Sequence, residues 1–288
     1  MSPNVAGALL MMASMASFTF NDAFIKATGG AVPLFQLLFL RGILATAFIA
    51  VLAHMRGAIR AQISTRDKGL IALRSASEVG AAYFFVTALL NMPLANVTAI
   101  LQVLPLTVTL GSALFFSEPV GWRRFLAIAV GFCGMLLIVR PGTEGFSIWS
   151  AYALCAVLCV TVRDLSTRRL SRDVPSLFVT LSASVTVLVA SGLASTTEVW
   201  APVTPELAWL IFAAAICIVG GYFFSVQVMR AGDVSFIAPF RYTGLLWALL
   251  LGWFVFGDWP APLTLLGAAL IVATGLFTLY RERQLLRR

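Results

Sequence analysis

Ten stretches of this chain are each apolar enough and long enough to cross a lipid bilayer. A crossing helix needs about 20 mostly apolar residues, because in hydrocarbon the backbone N–H and C=O groups must be satisfied within the protein. In order, the stretches are residues 4–27, 33–53, 69–90, 94–116, 120–139, 146–169, 176–194, 207–230, 234–256 and 261–280. Breakers fall between them: Gly29-Gly30, Met92-Pro93, Glu118-Pro119, Pro141-Gly142, Pro175, Pro202 to Pro205, Gly232-Asp233 and Pro260 to Pro262. Ten crossings leave no room for a separate soluble domain, so residues 1–288 are expected to form a single, all-α membrane domain. Only 11% of residues are charged, against about 25% in soluble domains, which excludes a water-soluble globule.

Cytoplasmic loops are enriched in Lys and Arg. With the N-terminus inside, the inward segments hold Arg56, Arg60, Arg66, Lys68, Arg123, Arg124, Arg168, Arg169, Arg172, Arg230, Arg281, Arg283, Arg287 and Arg288. The outward loops hold Lys26 and Arg140 alone. Four more arginines, Arg41, Arg74, Arg163 and Arg241, fall within or at the edges of spans and do not enter the comparison. Both termini are therefore expected on the cytoplasmic side, which requires an even number of crossings. The first span lacks a basic segment ahead of it and is read as uncleaved, although Ala13 to Ala16 are small.

The net charge of +8 follows from this asymmetry, and no basic patch interleaved with aromatics points to nucleic acid. Cys133, Cys155, Cys159 and Cys217 all lie in apolar spans without metal-ligand spacing and read as small buried hydrophobes. No metal and no cofactor is expected. His54 is the sole histidine and sits at a span end, so no His-based catalytic pair forms within the membrane, and an intramembrane enzyme is not expected. No phosphate-binding loop of the G-x-x-x-x-G-K-[ST] type is present, so direct coupling to ATP within the chain is not expected.

The second five spans echo the first five. Tyr83-Phe84-Phe85 recurs as Tyr222-Phe223-Phe224 at an offset of 139, and Glu118 aligns with Asp258 at 140. Asn21-Asp22 aligns with Arg163-Asp164, and Pro33 with Pro175, at an offset of 142. Five is odd, so the second copy enters from the opposite side, as in transporters built from inverted repeats. The copies run about 4–139 and 146–280.

The same residues carry a resemblance. Asn21 to Lys26, Pro33 to Arg41, Pro105, Ser117-Glu118-Pro119 and Gly131-x-x-Gly134 resemble the drug/metabolite transporter superfamily, EamA branch. Arg140-Pro141-Gly142, Pro239-Phe240-Arg241-Tyr242, Leu246-Trp247-Ala248 and Phe256-Gly257-Asp258 continue it. Among members, the chain is most similar to bacterial exporters of aromatic and neutral amino acids. The resemblance implies ten helices as two inverted five-helix repeats around a central cavity, with the fifth helix of each at the edge. It also implies alternating access. Small residues in those edge spans, such as Ala127 and Gly131, fit close packing or a dimer contact; the chain is expected as a monomer or a homodimer. Two departures stand out: Asp258 replaces the family's usual Glu, and Ala183 stands where repeat symmetry with Arg41 would place an Arg.

A charge at the bilayer centre costs about 2.5–3.5 kcal/mol even on insertion scales, so such residues need a partner or water. Asp22 and Lys26 read as an i, i+4 pair or an outer gate, and Arg41 as a clamp on Asp22 across the first loop. Arg163 and Asp164 read as interfacial, since Arg168 and Arg169 follow. Glu78 and Arg241 read as charges that either pair across the cavity or await the ammonium and carboxylate of an amino acid; Gln102 is the repeat mate of Arg241. Tyr83, Tyr222, Tyr242 and Trp247 are candidates for an aromatic substrate wall, or core. Trp149, Trp200, Trp209 and Trp259 read as interfacial anchors. Pro105, Pro239 and the pair Gly220-Gly221 interrupt spans 4, 9 and 8, as hinges or as static bends.

These observations point to a secondary transporter of small metabolites, with aromatic or neutral amino acids as the expected substrate. S-adenosylmethionine, other cationic metabolites and toxic amphipaths are the alternatives. A channel or receptor is the competing class.

Overall fold

The computed structural model describes residues 3–60, 63–117, 121–140, 147–171, 173–228 and 237–286. Among these residues eleven α-helices make ten spans: α1 Pro3–Ala27, α2 Leu34–Met55, α3 Thr65–Asn91, α4 Leu94–Leu101 with α5 Leu104–Phe116, α6 Trp122–Val139, α7 Ile148–Arg168, α8 Ser176–Ser195, α9 Pro205–Val228, α10 Thr243–Phe256 and α11 Pro262–Leu286. A 3-10 turn, Ala238–Tyr242, precedes α10 and completes span 9. All ten are long and apolar enough to cross a membrane, and no strand occurs among the described residues.

Breakers end the helices where the sequence places them. Pro33, Pro93 and Pro175 stand at N-caps, where the missing N–H costs no helix bond. Gly257 and Ser117 end spans 9 and 4 in the left-handed conformation, with φ of 68° and 54°. They are repeat mates at an offset of 140, so the same stop is made once by glycine and once, against side-chain sterics, by serine.

The packing pairs define the architecture. Helix α1 lies on α9, α9 on α2, α2 on α8, α8 on α3, α3 on α7, α7 on the α4–α5 span, that span on α10, and α10 on α1. These eight contacts close a ring, in span order 1-8-2-7-3-6-4-9, around a central space. Spans 5 and 10, helices α6 and α11, pack on each other behind the 4–9 side of the ring. Exchanging each span with the one five places on returns the same set of contacts. The pairs 2–7, 4–9 and 5–10 map onto themselves and mark the two-fold axis of an inverted repeat.

Helices in a bilayer gain little from apolar burial against each other and associate through close contact of small residues. Symmetry mates do this at mated seams. Gly80 of α3 meets Cys159 of α7, and Gly220 of α9 meets Ser17 of α1. Gly221 lies against the Phe18 ring so closely that a Cβ would overlap it. Helix α9 runs unbroken through Gly220-Gly221, so this pair is a contact with α1 and not an interruption. In the edge pair, Gly134 and Gly267 each meet the other's carbonyl oxygen, and Gly131 meets Leu106 and Thr274.

The arginine-poor end is pinned by a carboxylate on a helix N-terminus. Glu198 accepts the backbone N–H groups of Phe35 and Gln36 at 3.2–3.3 Å. First-turn N–H groups have no helical acceptor, and the helix dipole favours an anion there. The buried Gln36 amide then exchanges two 2.9 Å hydrogen bonds with the backbone of Ala201. These contacts fix the α8–α9 loop to the start of α2.

A charged centre inside the helical ring

Span 3 carries Arg74 and Glu78 one helical turn apart, and span 6 brings Arg163 to them. Arg163 Nη1 donates to both Glu78 oxygens at 3.4 and 3.5 Å, and its Nε donates to Asp164 Oδ1 at 2.9 Å. Arg74 Nη1 lies 3.9 Å from Glu78 Oε2. Arg74 also donates from Nε to Thr167 Oγ1 and from Nη1 to the Val179 carbonyl, so one side chain ties span 3 to both its ring neighbours. These four groups carry two charges of each sign.

A second group lies between spans 1 and 2. Arg41 Nη1 donates to Asn21 Oδ1 at 3.2 Å, and Asn21 Nδ2 donates to Asp22 Oδ1 at 2.9 Å. Spans 1 and 2 are not ring neighbours; span 8 stands between them. A side chain bridging them crosses the inner side of span 8, where Tyr222 sits with its ring edge-on to Phe18 at 5.5 Å. The Tyr222 hydroxyl lies within electrostatic reach of Arg41, Arg74, Glu78 and Arg163, side chains from across the ring. The four side chains of the first group are 14–27% exposed. Facing lipid would be costly for such charges, which favours their turning toward the space inside the ring.

Toward the arginine-poor end, aromatics line the next level. Tyr83 stacks on Phe35 at 5.9 Å and meets Phe84 at 5.2 Å and Tyr152 at 6.3 Å; Tyr152 continues to Trp149 at 5.5 Å. Both mouths carry a cation over an aromatic ring at mated positions. Lys26 lies 5.5 Å from the Phe256 centroid and Arg169 lies 3.9 Å from that of Phe116. Phe116 and Phe256 are repeat mates, as are Lys26 and Arg168, the neighbour of Arg169.

Several sequence expectations are redrawn. Glu78 is held by Arg163 and Arg74, not by Arg241, because span 9 sits between spans 1 and 4, away from span 3. Arg241 is exposed and has no ion-pair partner among the described residues. Lys26 does not pair with Asp22; it donates to the Met92 and Leu89 carbonyls at 2.8 and 3.4 Å, the unsatisfied end of α3. Arg41 reaches Asp22 through Asn21, not directly. Arg163 and Asp164, expected at the interface, belong to the charged centre.

Of the aromatic candidates, Tyr83 belongs to the cluster with Phe35, Phe84 and Tyr152, and Tyr222 sits edge-on to Phe18. Trp247 lies 6.3 Å from Phe20 at the 1–9 seam, and Tyr242 turns its hydroxyl onto Gly275 of span 10. Gln102 is buried at the break between α4 and α5, its amide beside Gly244. Pro105 is the second residue of α5, and Pro239 lies in the 3-10 turn of span 9, so mated spans are irregular at mated depths. Glu118 lies outside the described residues, as does Gly232-Asp233. No group of metal-ligating side chains occurs among the described residues.

The sequence reading gives Arg74, Asn21 and Tyr152 no site role and places Arg163 at the interface. A signal existed for three of them: Arg74 precedes Glu78 by four residues, and Asn21 and Arg163 are repeat mates.

The sequence profile of the EamA-like transporter family matches residues 5–140 and again residues 147–280. The chain belongs to this family. Its relatives are transporters by name. The pseudopaline exporter of Pseudomonas aeruginosa (strain UCBPP-PA14) is 27% identical over 275 residues, covering 91% of this chain and 93% of the relative. The riboflavin transporter of Vibrio cholerae is 28% identical over 248 residues, covering 85% and 83%. The S-adenosylmethionine uptake transporter of Rickettsia conorii is 27% identical over 201 residues, covering 68% and 66%. A solved crystal structure, 20% identical, superposes with a TM-score of 0.67 over 98% of this chain and 99% of that one, and shares the fold. The protein is a multi-pass membrane transporter of the EamA type.

Proposed function

We propose that this EamA transporter exports small zwitterionic metabolites, aromatic and neutral amino acids first among them, across the bacterial inner membrane by alternating access. Both termini face the cytoplasm in this reading, as the basic-residue asymmetry indicates. One observation carries the substrate class. The side chains converging on the cavity include three cations, Arg41, Arg74 and Arg163, and three anions, Asp22, Glu78 and Asp164. Cationic and anionic side chains are equal in number, so the centre offers separate positive and negative poles and not a cluster of one sign. An α-amino acid presents the same two poles, and the Phe35, Tyr83 and Tyr152 rings supply an apolar wall for its side chain.

The second reading, a cationic metabolite such as S-adenosylmethionine, has the support of a relative bearing that substrate in its name. The mixed-sign centre argues against it. Counterflow decides between them. Proteoliposomes preloaded with unlabelled phenylalanine should accumulate labelled phenylalanine above empty-vesicle levels, with competition by other neutral amino acids. Counterflow of labelled S-adenosylmethionine with none for the amino-acid panel would overturn the zwitterion reading.

A further inference from the structure

We infer that Arg41 and Tyr222 form the seat for the substrate carboxylate, with Asp22 receiving the ammonium on the far side of a spacer amide, Asn21. This inference rests on the amino-acid reading and deepens it to named groups.

The cations differ in what each already holds. Arg163 spends Nε and Nη1 on two carboxylates. Arg74 spends Nε and Nη1 on Thr167, Val179 and Glu78. Lys26 is committed to two carbonyls. Arg41 makes one 3.2 Å hydrogen bond to a neutral amide and has no carboxylate within 4.0 Å among the described residues. A guanidinium carries five N–H donors in a planar fork that fits a carboxylate with two parallel bonds. Four of those five donors have no partner among the described residues. A guanidinium left so inside a membrane protein is costly unless water or a ligand meets it.

Asn21 explains why the fork stays open. Its carbonyl takes Arg41 and its NH2 gives to Asp22, so the amide sits between two opposite charges that would otherwise join. The result is a separated ion pair facing the cavity, with poles on spans 1 and 2. The Tyr222 hydroxyl, from span 8 between them, is a further donor with no hydrogen-bond partner among the described residues. Repeat symmetry isolates the feature further. The mates of Asn21 and Arg41 are Arg163 and Ala183, so the second repeat has no equivalent open fork. Arg241, exposed on span 9, is the arginine for comparison.

Two readouts test this. In wild-type proteoliposomes, phenylalaninamide, which lacks the carboxylate, should compete for phenylalanine counterflow about 100-fold more weakly than phenylalanine. Arg41→Gln should erase that ratio while Arg241→Gln keeps it. An unchanged ratio in Arg41→Gln overturns the seat. The second readout needs no variant and no transport: phenylglyoxal labelling of Arg41 in the folded wild type, read by peptide mass spectrometry. Protection by phenylalanine and not by its amide supports the seat. Equal labelling with and without carboxylates overturns it. Protection of Arg41 by carboxylates without amino-acid counterflow would keep the seat and defeat only the amino-acid reading.

Discussion

The two repeats agree at the ends and seams of the molecule and disagree at its centre. Phe116 and Phe256 both lie under a cation at a mouth, Ser117 and Gly257 both stop a span in the left-handed conformation, and Gly80–Cys159 and Gly220–Ser17 are the same seam built twice. At the centre the mates part: Asn21 against Arg163, Arg41 against Ala183. On the proposed reading, the parts that would open and close both sides of a membrane are kept in duplicate. The parts that would hold one asymmetric amino acid are not, because a molecule with a carboxylate at one end cannot meet two identical sites at once.

The comparison breaks first at position 163. Arg163→Ala leaves Glu78 with only the 3.9 Å contact from Arg74 and strips Asp164 of its partner. Removing one member of a buried ion pair costs about 3–5 kcal/mol, so melting in detergent should fall steeply. The mate substitution Asn21→Ala removes two hydrogen bonds to charged groups, worth about 1.5–3 kcal/mol each. It also lets Arg41 and Asp22 close on each other, which offsets that cost, so folding should be nearly retained while counterflow is lost. Equal damage to stability from both substitutions would erase the distinction between a structural and a functional half.

The mouths sharpen it. A cation over a ring contributes about 0.5–1 kcal/mol when exposed and about 2 when desolvated. Arg169 is at 3.9 Å and Lys26 at 5.5 Å, so Phe116→Leu should lower the melting temperature more than Phe256→Leu. The smallest effect lies in the caps. Ser117→Gly relieves a left-handed residue and should stabilise by a few tenths of the about 1–2 kcal/mol penalty, the rest being offset by glycine's freer unfolded chain. Gly257→Ala should destabilise by about 1 kcal/mol, and thermal melts of the two variants should move in opposite directions.

The ten spans, the inverted repeat and the family resemblance were legible because each rests on a long apolar run or on a residue series that repeats. Where Pro33, Pro93 and Pro175 stood, helices began. The site was harder. Spans that are apolar nearly all round do not announce which face turns inward, so Glu78 and Arg241 looked alike although the ring places them on separated spans. Lys26 was assigned to Asp22 by spacing on one helix, while the acceptors it found are carbonyls of another. Arg163 looked interfacial because Arg168 and Arg169 follow it, yet a long side chain on a late helical turn still reaches the cavity. The Gly220-Gly221 pair shows the reverse error: read as a break, it is a contact surface, since helix α9 keeps its backbone bonds and uses the missing side chains to admit Phe18.

The charged centre should line a water-filled cavity within the ring. A cysteine at position 222, with Cys133, Cys155, Cys159 and Cys217 changed to serine, tests it in proteoliposomes against a membrane-impermeant methanethiosulfonate reagent. Tyr222→Cys should react readily, and substrate should slow the reaction. Leu126→Cys, on the exposed apolar face of α6, should remain almost unreactive. Reaction at position 222 no faster than at position 126 would contradict the account.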